Sequence, residues 1–374
     1  MAALSFLTRT KRGGVLLNKS EHAIQLARLG RLDEKPLVVD AFADLTPGDE
    51  DGVERWIQNT FADRGPGFLA GYCGFHPVDR VLLRENINTR RFAEPDFLPS
   101  LLAEHARLPS TKDWLVRALH PVEGEVFTAA TPPRPGLLVG LPLSAVREMQ
   151  QRLRKQNIRP RRLELGTVAL LGALTGHLRQ ISYPHAVVAC ELGVTQTRIY
   201  LLGKDGVHTP AALPHGLRSI EEAAMKELVA PDIATARRAL EAPTDELRGH
   251  GRRLVRALTR HLKPAVDYFE MQTGQPIGAL FCAHLPASLS WLEEALCAAV
   301  DLEFLAPDFA VWLPSIGLAL APGATAPGRS WFQPLCLVGQ LAPPAPAHEQ
   351  KQLFHRGHSA LAPRLPHRSG FAGG

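Results

Sequence analysis

With 374 residues, 45% of them apolar and 21% charged, the chain can bury a sizeable core and suits two ordinary domains or one large two-lobed one. Its net charge of +5 is concentrated past Leu341, where Lys351, Arg356, Arg364 and Arg368 face Glu349 alone; the body keeps only about +2, too little for a nucleic-acid footprint. The five scattered cysteines, Cys73, Cys190, Cys282, Cys297 and Cys336, form no CxxC pair, which argues against structural zinc and a disulfide framework and suits a reducing cytoplasm.

The opening MAALSFLTRTKRGG has its cations after its apolar residues, the wrong order for a signal peptide. No uncharged apolar run reaches the roughly 18 residues of a membrane span. Apolar runs split at Asn18-Lys19-Ser20-Glu21 predict a β-hairpin over 14–29, with Asn18 and Lys19 in its turn, and PLVVDAF at 36–42 reads as a third strand. A helix is expected over 53–61, a buried strand over 67–73, and then a quickly alternating block to about 119. After the proline-rich loop at 132–135 comes a strand at 136–142. Ser144 then stands as the cap of a helix to about Gln156 that buries Val146, Met149 and Leu153.

A strand at 161–166 and an apolar helix at 167–178 close this half. The second half opens on a hairpin, and Ser219-Ile220-Glu221-Glu222 matches a capping box for a helix to about Val229. Helices are expected at 232–241, 244–273, 289–300 and around Leu313–Leu320, with strands at 277–282 and 302–308. The Ala/Pro/His/Arg-rich stretch beyond Gln340 lacks the apolar pattern of a core and is expected to be disordered.

The residues 189–206, ACELGVTQTRIYLLGKDG, hold the main candidate site. Glu191, Gly193, Thr195 and Thr197 have the order of a phosphate-holding hairpin. The same residues also suit an ordinary tight turn between strands. Seven cations between Arg147 and Arg162 read as a solvated face, or as a patch for anionic lipid or an acidic partner; no aromatic platform among them favours nucleic acid. His177, His185, His208 and His215 share no metal-ligand spacing, and His355, His358 and His367 in the tail suit only weak, adventitious metal binding. No nucleophile motif occurs, so the residues offer neither a catalytic group nor a metal site.

Two β-rich blocks, each followed by helices, resemble the two-lobed actin-like (ribonuclease H-like) ATPase fold, an α/β class. The segment order, VGLPLSAVREMQQRLRKQNIRPRRLELGTVALLGAL, then VVACELGVTQTRIYLL, then IGALFCAHLPASLSWLEEAL and IGLAL, is similar to the PilM family of type IV pilus assembly proteins. The resemblance implies lobe I over 14–183, with a small α+β insert at about 75–160, lobe II over 184–311, a closing helix and return to lobe I over 312–340, and the tail at 341–374.

Where that family holds nucleotide, this chain departs from it. VLLNKSEHAIQL has no Asp-x-Gly, Glu191 replaces an aspartate, and Cys282-Ala283-His284-Leu285-Pro286 has no glycine where backbone would approach the base. The implied protein is therefore a pseudo-ATPase without a cofactor, ATP with Mg being disfavoured. It would be a cytoplasmic scaffold, peripheral at the inner membrane, that binds the N-terminal segment of a PilN-like bitopic protein and other pilus platform components. An active ATPase or sugar kinase using Glu191 as metal-side acid is the alternative, and a type II secretion system the alternative setting.

Overall fold

The structure is a computed structural model, and it describes residues 13–63 and 67–338. The first lobe begins with β1 (Gly13–Lys19), β2 (Ile24–Arg31), β3 (Leu37–Leu45), α1 (Glu50–Thr60) and β4 (Leu69–Phe75). An insert follows, with β5 (Val81–Ile87), α2 (Phe97–Ala106), β6 (Trp114–Leu119) and β7 (Arg134–Pro142). The lobe resumes in α3 (Leu143–Lys155), β8 (Ile158–Leu165) and α4 (Gly166–Gln180). The second lobe holds β9 (Ala186–Leu192), β10 (Thr197–Gly203), β11 (Gly206–His208), α5 (Leu217–Glu227), α6 (Ile233–Glu241), α7 (Asp245–Gly249), α8 (Gly251–Leu254) and α9 (Arg256–Thr273). It ends with β12 (Ile277–Ala283), α10 (Trp291–Val300) and β13 (Glu303–Phe304), after which come α11 (Phe309–Ser315), β14 (Leu318–Leu320) and α12 (Phe332–Cys336).

The two large sheets repeat one topology. In the first the order is β14-β3-β2-β1-β4-β8, and in the second β11-β10-β9-β12-β13. Apart from the added β14, each runs third, second, first, fourth, fifth. The first three strands are antiparallel, and the fourth joins the first in parallel. The central strands are apolar on both sides because both faces are covered; every residue of β9 is buried. The insert is a separate three-stranded sheet, β5-β7-β6, with a small core around Leu102, Phe97 and Leu138.

A single apolar core joins the lobes. Leu16 and Leu174 from the first half meet Val187 and Phe281 from the second, with Trp312 and Phe332 packed among them. The ring centroids of Trp312 and Phe332 lie 4.2 Å apart. Burying two such rings removes a few hundred Å² of apolar surface from water, on the order of several kcal/mol. All five cysteines are free and buried.

Several expected elements are reshaped by neighbours. Asn18 and Lys19 belong to β1, and the turn falls at 20–23. Ser144 lies within the first turn of α3, whose cap position is Pro142. No capping box forms at Ser219. Here α5 starts three residues earlier, with Gly216 at the cap position, because the carbonyls of Gly193 and Val194 accept the Leu217 and Arg218 amides at 2.9 Å each. Gly216 has to be glycine for this approach, since a Cβ there would lie 2.5 Å from the Gly193 oxygen. The helix expected over 244–273 is three helices, bent at His250 and Val255. Around Leu313–Leu320 the helix stops at Ser315, and Leu318–Leu320 pairs with β3 as a parallel strand. The strand at 302–308 shrinks to Glu303–Phe304. The N-terminal stretch before Gly13 and the tail expected at 341–374 lie outside the described residues.

Candidate interlobe site

The C-terminal ends of β1, β4, β9 and β12 point into one cleft between the lobes. Glu191, next to last in β9, is buried there, as is Arg80 from the loop after β4. The Arg80 Nη2 donates to Glu191 Oε2 at 2.7 Å, its Nε donates to the Thr167 hydroxyl at 2.9 Å, and its Nη1 donates to the Pro77 carbonyl at 2.9 Å. Thr167, in the first turn of α4, donates to Glu191 Oε1 at 2.7 Å. The Tyr200 hydroxyl donates to Oε2 at 3.2 Å. Burial alone would raise the Glu191 carboxyl, but the Arg80 charge and the neighbouring imidazoles outweigh it and hold it well below the usual carboxylate range. Burial and the Glu191 charge push the Tyr200 phenol upward.

Two histidines complete the cluster. His76 follows β4, and His284 follows β12 with a backbone φ of 70°, a left-handed conformation that favours glycine. The segment therefore keeps a glycine-like backbone while placing an imidazole in the cleft. The rings meet edge to face, with centroids 4.3 Å apart. Burial holds both imidazoles below their ordinary pKa, and for His284 the neighbouring His76 adds to the effect. Gln333, from α12, approaches His284 Nε2 at 3.0 Å.

Of the four hairpin residues singled out in the sequence, only Glu191 enters this cluster. Gly193 forms the turn, its amide donating to the Gln196 carbonyl at 3.0 Å. Thr195 is exposed on the turn, and the buried Thr197 donates its hydroxyl to the His215 carbonyl at 2.8 Å. The Val194 amide donates to the carboxylate of Glu21, from the first hairpin, at 2.8 Å. Beside it, His22 Nε2 meets the Leu192 carbonyl at 2.9 Å. The sequence pattern did not reveal Arg80, His76, Thr167 or Gln333, which lie on three separate segments, the loop after β4, α4 and α12. His284 carried a signal, as the bulky residue in a segment where glycine was expected.

Two sheets of the same strand order, facing each other across a cleft at their strand ends, define the two-lobed actin-like ATPase fold. Among solved structures the chain is similar to the PilM-PilN type IV pilus biogenesis complex, with 14% identity and a TM-score of 0.64 over 89% of this chain and 100% of that one. The resemblance to PilM-like proteins drawn from segment order therefore holds at the level of fold. More distant likenesses include the cytoplasmic domain of EpsL from the Vibrio cholerae type II secretion system, with 14% identity and a TM-score of 0.35 over 59% of this chain and 76% of that one. Another is a Bacteroides thetaiotaomicron protein with an actin-like ATPase fold, with 8% identity and a TM-score of 0.43 over 88% and 97%. No protein-family model matches the chain, and no curated protein sequence matches it significantly. Among the described residues no helix is long and apolar enough to cross a membrane.

Proposed function

We propose that the chain is a non-catalytic scaffold of an inner-membrane assembly platform, for type IV pili or a related type II secretion system. In this reading it binds the cytoplasmic N-terminal segment of a PilN-like membrane protein and stays peripheral to the membrane through that partner. The partner class comes from the fold likeness to the PilM-PilN complex. The non-catalytic part rests on one observation: Glu191, the acid near the end of β9, is buried and bonded through both oxygens to Arg80, Thr167 and Tyr200. With Oε2 committed to Arg80 and Tyr200, Glu191 cannot swing out to the Mg ion of a nucleotide without leaving the Arg80 charge buried and unpartnered. Capture of an extended peptide needs an apolar groove and backbone hydrogen bonds, and no reactive group.

Two titrations test the reading. Fluorescence anisotropy with a labelled cytoplasmic N-terminal peptide of a PilN-like membrane protein from the same organism is expected to saturate in the micromolar range. Calorimetry with Mg-ATP is expected to show no binding below about 1 mM, the consequence of losing two or three contacts of roughly 1–3 kcal/mol each. Failure of the peptide to bind overturns the scaffold reading. A micromolar Mg-ATP affinity that is lost in Glu191→Ala overturns the non-catalytic one.

A further inference from the structure

Three ligand-type atoms converge at the centre of the cleft. His76 Nδ1 lies 3.1 Å from His284 Nε2 and 3.6 Å from Glu191 Oε1, and His284 Nε2 lies 3.7 Å from the same Oε1. A point equidistant from the corners of that triangle is about 2.0 Å from each, the bond length of Zn²⁺ to imidazole nitrogen and carboxylate oxygen. The three residues are the one such group among the described residues.

The surroundings orient the lone pairs. Gln25 Nε2 donates to Asp44 Oδ1 at 2.9 Å, which turns its Oε1 toward the Asn18 amide at 3.3 Å. Asn18 Oδ1 then faces His76 Nε2 at 3.2 Å, so that nitrogen carries the proton and Nδ1 is left as a lone pair aimed at the other two ligands. A relay that fixes the imidazole tautomer from behind is what a metal-bound histidine requires. Glu191 is arranged likewise: Arg80 and Tyr200 bond Oε2, while the inward Oε1 accepts from Thr167 at 2.7 Å and faces the Gln333 amide at 3.5 Å.

Space is reserved as well. A Cβ on Gly166 would fall 2.1 Å from His76 Nε2, so this ring position requires glycine there. A shared proton would join the two imidazoles, yet it would leave Oε1 beyond hydrogen-bond reach of both nitrogens at 3.6 and 3.7 Å. A cation at the centre serves all three.

We propose that His76 through Nδ1, His284 through Nε2 and Glu191 through Oε1 hold a divalent transition ion of the zinc class. The ion ties the end of β4 in the first lobe to the ends of β9 and β12 in the second, and Gln333 flanks the position left for a further ligand. The two-imidazole, one-carboxylate donor set is borderline and suits zinc over magnesium or calcium. With all three side chains almost wholly buried, the ion is taken up as the lobes close and stabilises the closed form by mass action. The site does not depend on the scaffold reading.

The test uses the full chain, stripped with chelator and titrated with Zn²⁺ and, separately, with Co²⁺ as a spectroscopic probe. His284→Gly is the diagnostic variant, because a backbone at φ 70° accepts glycine without strain and only the imidazole is lost. His76→Ala, with folding checked by circular dichroism, is the second. Wild type is expected to bind about one equivalent of either ion. Co²⁺ should give visible d–d absorption, and Zn²⁺ should raise the melting temperature by several degrees. Both variants should lose the absorption and the shift. Equal uptake by wild type and His284→Gly would place the ion elsewhere, in the histidines of the C-terminal tail for instance, and would overturn the proposal. Absence of both the Co²⁺ spectrum and the Zn²⁺ shift in wild type would overturn it too.

Discussion

Glu21, in the turn of the first hairpin, accepts a hydrogen bond from the backbone amide of Val194, in the turn of the second, at 2.8 Å. A carboxylate of the chain thus occupies the amide at the turn of the second hairpin. It also ties the two lobes across the cleft, next to the contact between His22 and Leu192. Because this contact is solvent-exposed, Glu21→Gln is expected to cost only about 0.5–1.5 kcal/mol in urea denaturation, with the slope unchanged. A loss above about 3 kcal/mol would mean that the hairpin turn depends on Glu21 for its shape.

The buried Arg80–Glu191 pair should behave as a unit. Arg80→Met alone leaves an anion without its partner, and Glu191→Gln alone leaves a cation, each expected to cost about 3–5 kcal/mol. The double variant should lose clearly less than the sum, because it buries no lone charge. Denaturation of all four proteins at pH 7.5 gives the coupling; additivity within about 0.5 kcal/mol would show that the two residues act separately.

Two glycines of α4 should respond in opposite directions to the same substitution. Gly166→Ala drives a methyl into the His76 ring and is expected to destabilise by about 1–3 kcal/mol. Gly172, exposed in the same helix, has open space where its Cβ would go, so Gly172→Ala should stabilise by up to about 1 kcal/mol. Thermal melts of the pair, run side by side, decide the matter, and equal shifts would count against the crowding at His76.

Acid sensitivity should arise in part from His177. This residue is buried in α4, its ring stands edge-on to Phe332, and its Nδ1 has no hydrogen-bond partner. Burial lowers its pKa, so the unfolded chain binds its proton more readily than the folded one. Its contribution is full above the unfolded value of about 6.5 and is lost as pH falls from there through the lower folded value. Melting temperatures between pH 7.5 and 5.5 should fall, and the fall should be shallower in His177→Gln. Parallel curves for the two proteins would assign the acid sensitivity to other groups.

Much of the fold was legible in the chain itself. The hairpins at 14–29 and 186–202, the helix ending at the left-handed Gly274 and the continuous apolar run of β9 rest on local rules of turn, cap and burial. Where local rules failed, a distant partner had overridden them. The amides opening α5 are satisfied by the Gly193 and Val194 carbonyls, so Ser219 has no capping work to do, and Leu318–Leu320 extends because β3 offers an unpaired edge.

The cleft shows the same division more sharply. Glu191 was visible as the acid of a hairpin, and His284 as an intrusion where glycine was expected. Nothing local announces that Arg80, 111 positions away, neutralises Glu191, or that His76 and His284, 208 apart, bring ring nitrogens within 3.1 Å of each other. Composition and periodicity determine which stretches are strands and which faces are buried, because those depend on neighbours a few residues away. Which charged and ligating groups meet at the strand ends depends on how two sheets of like topology face each other, and only the tertiary structure decides that.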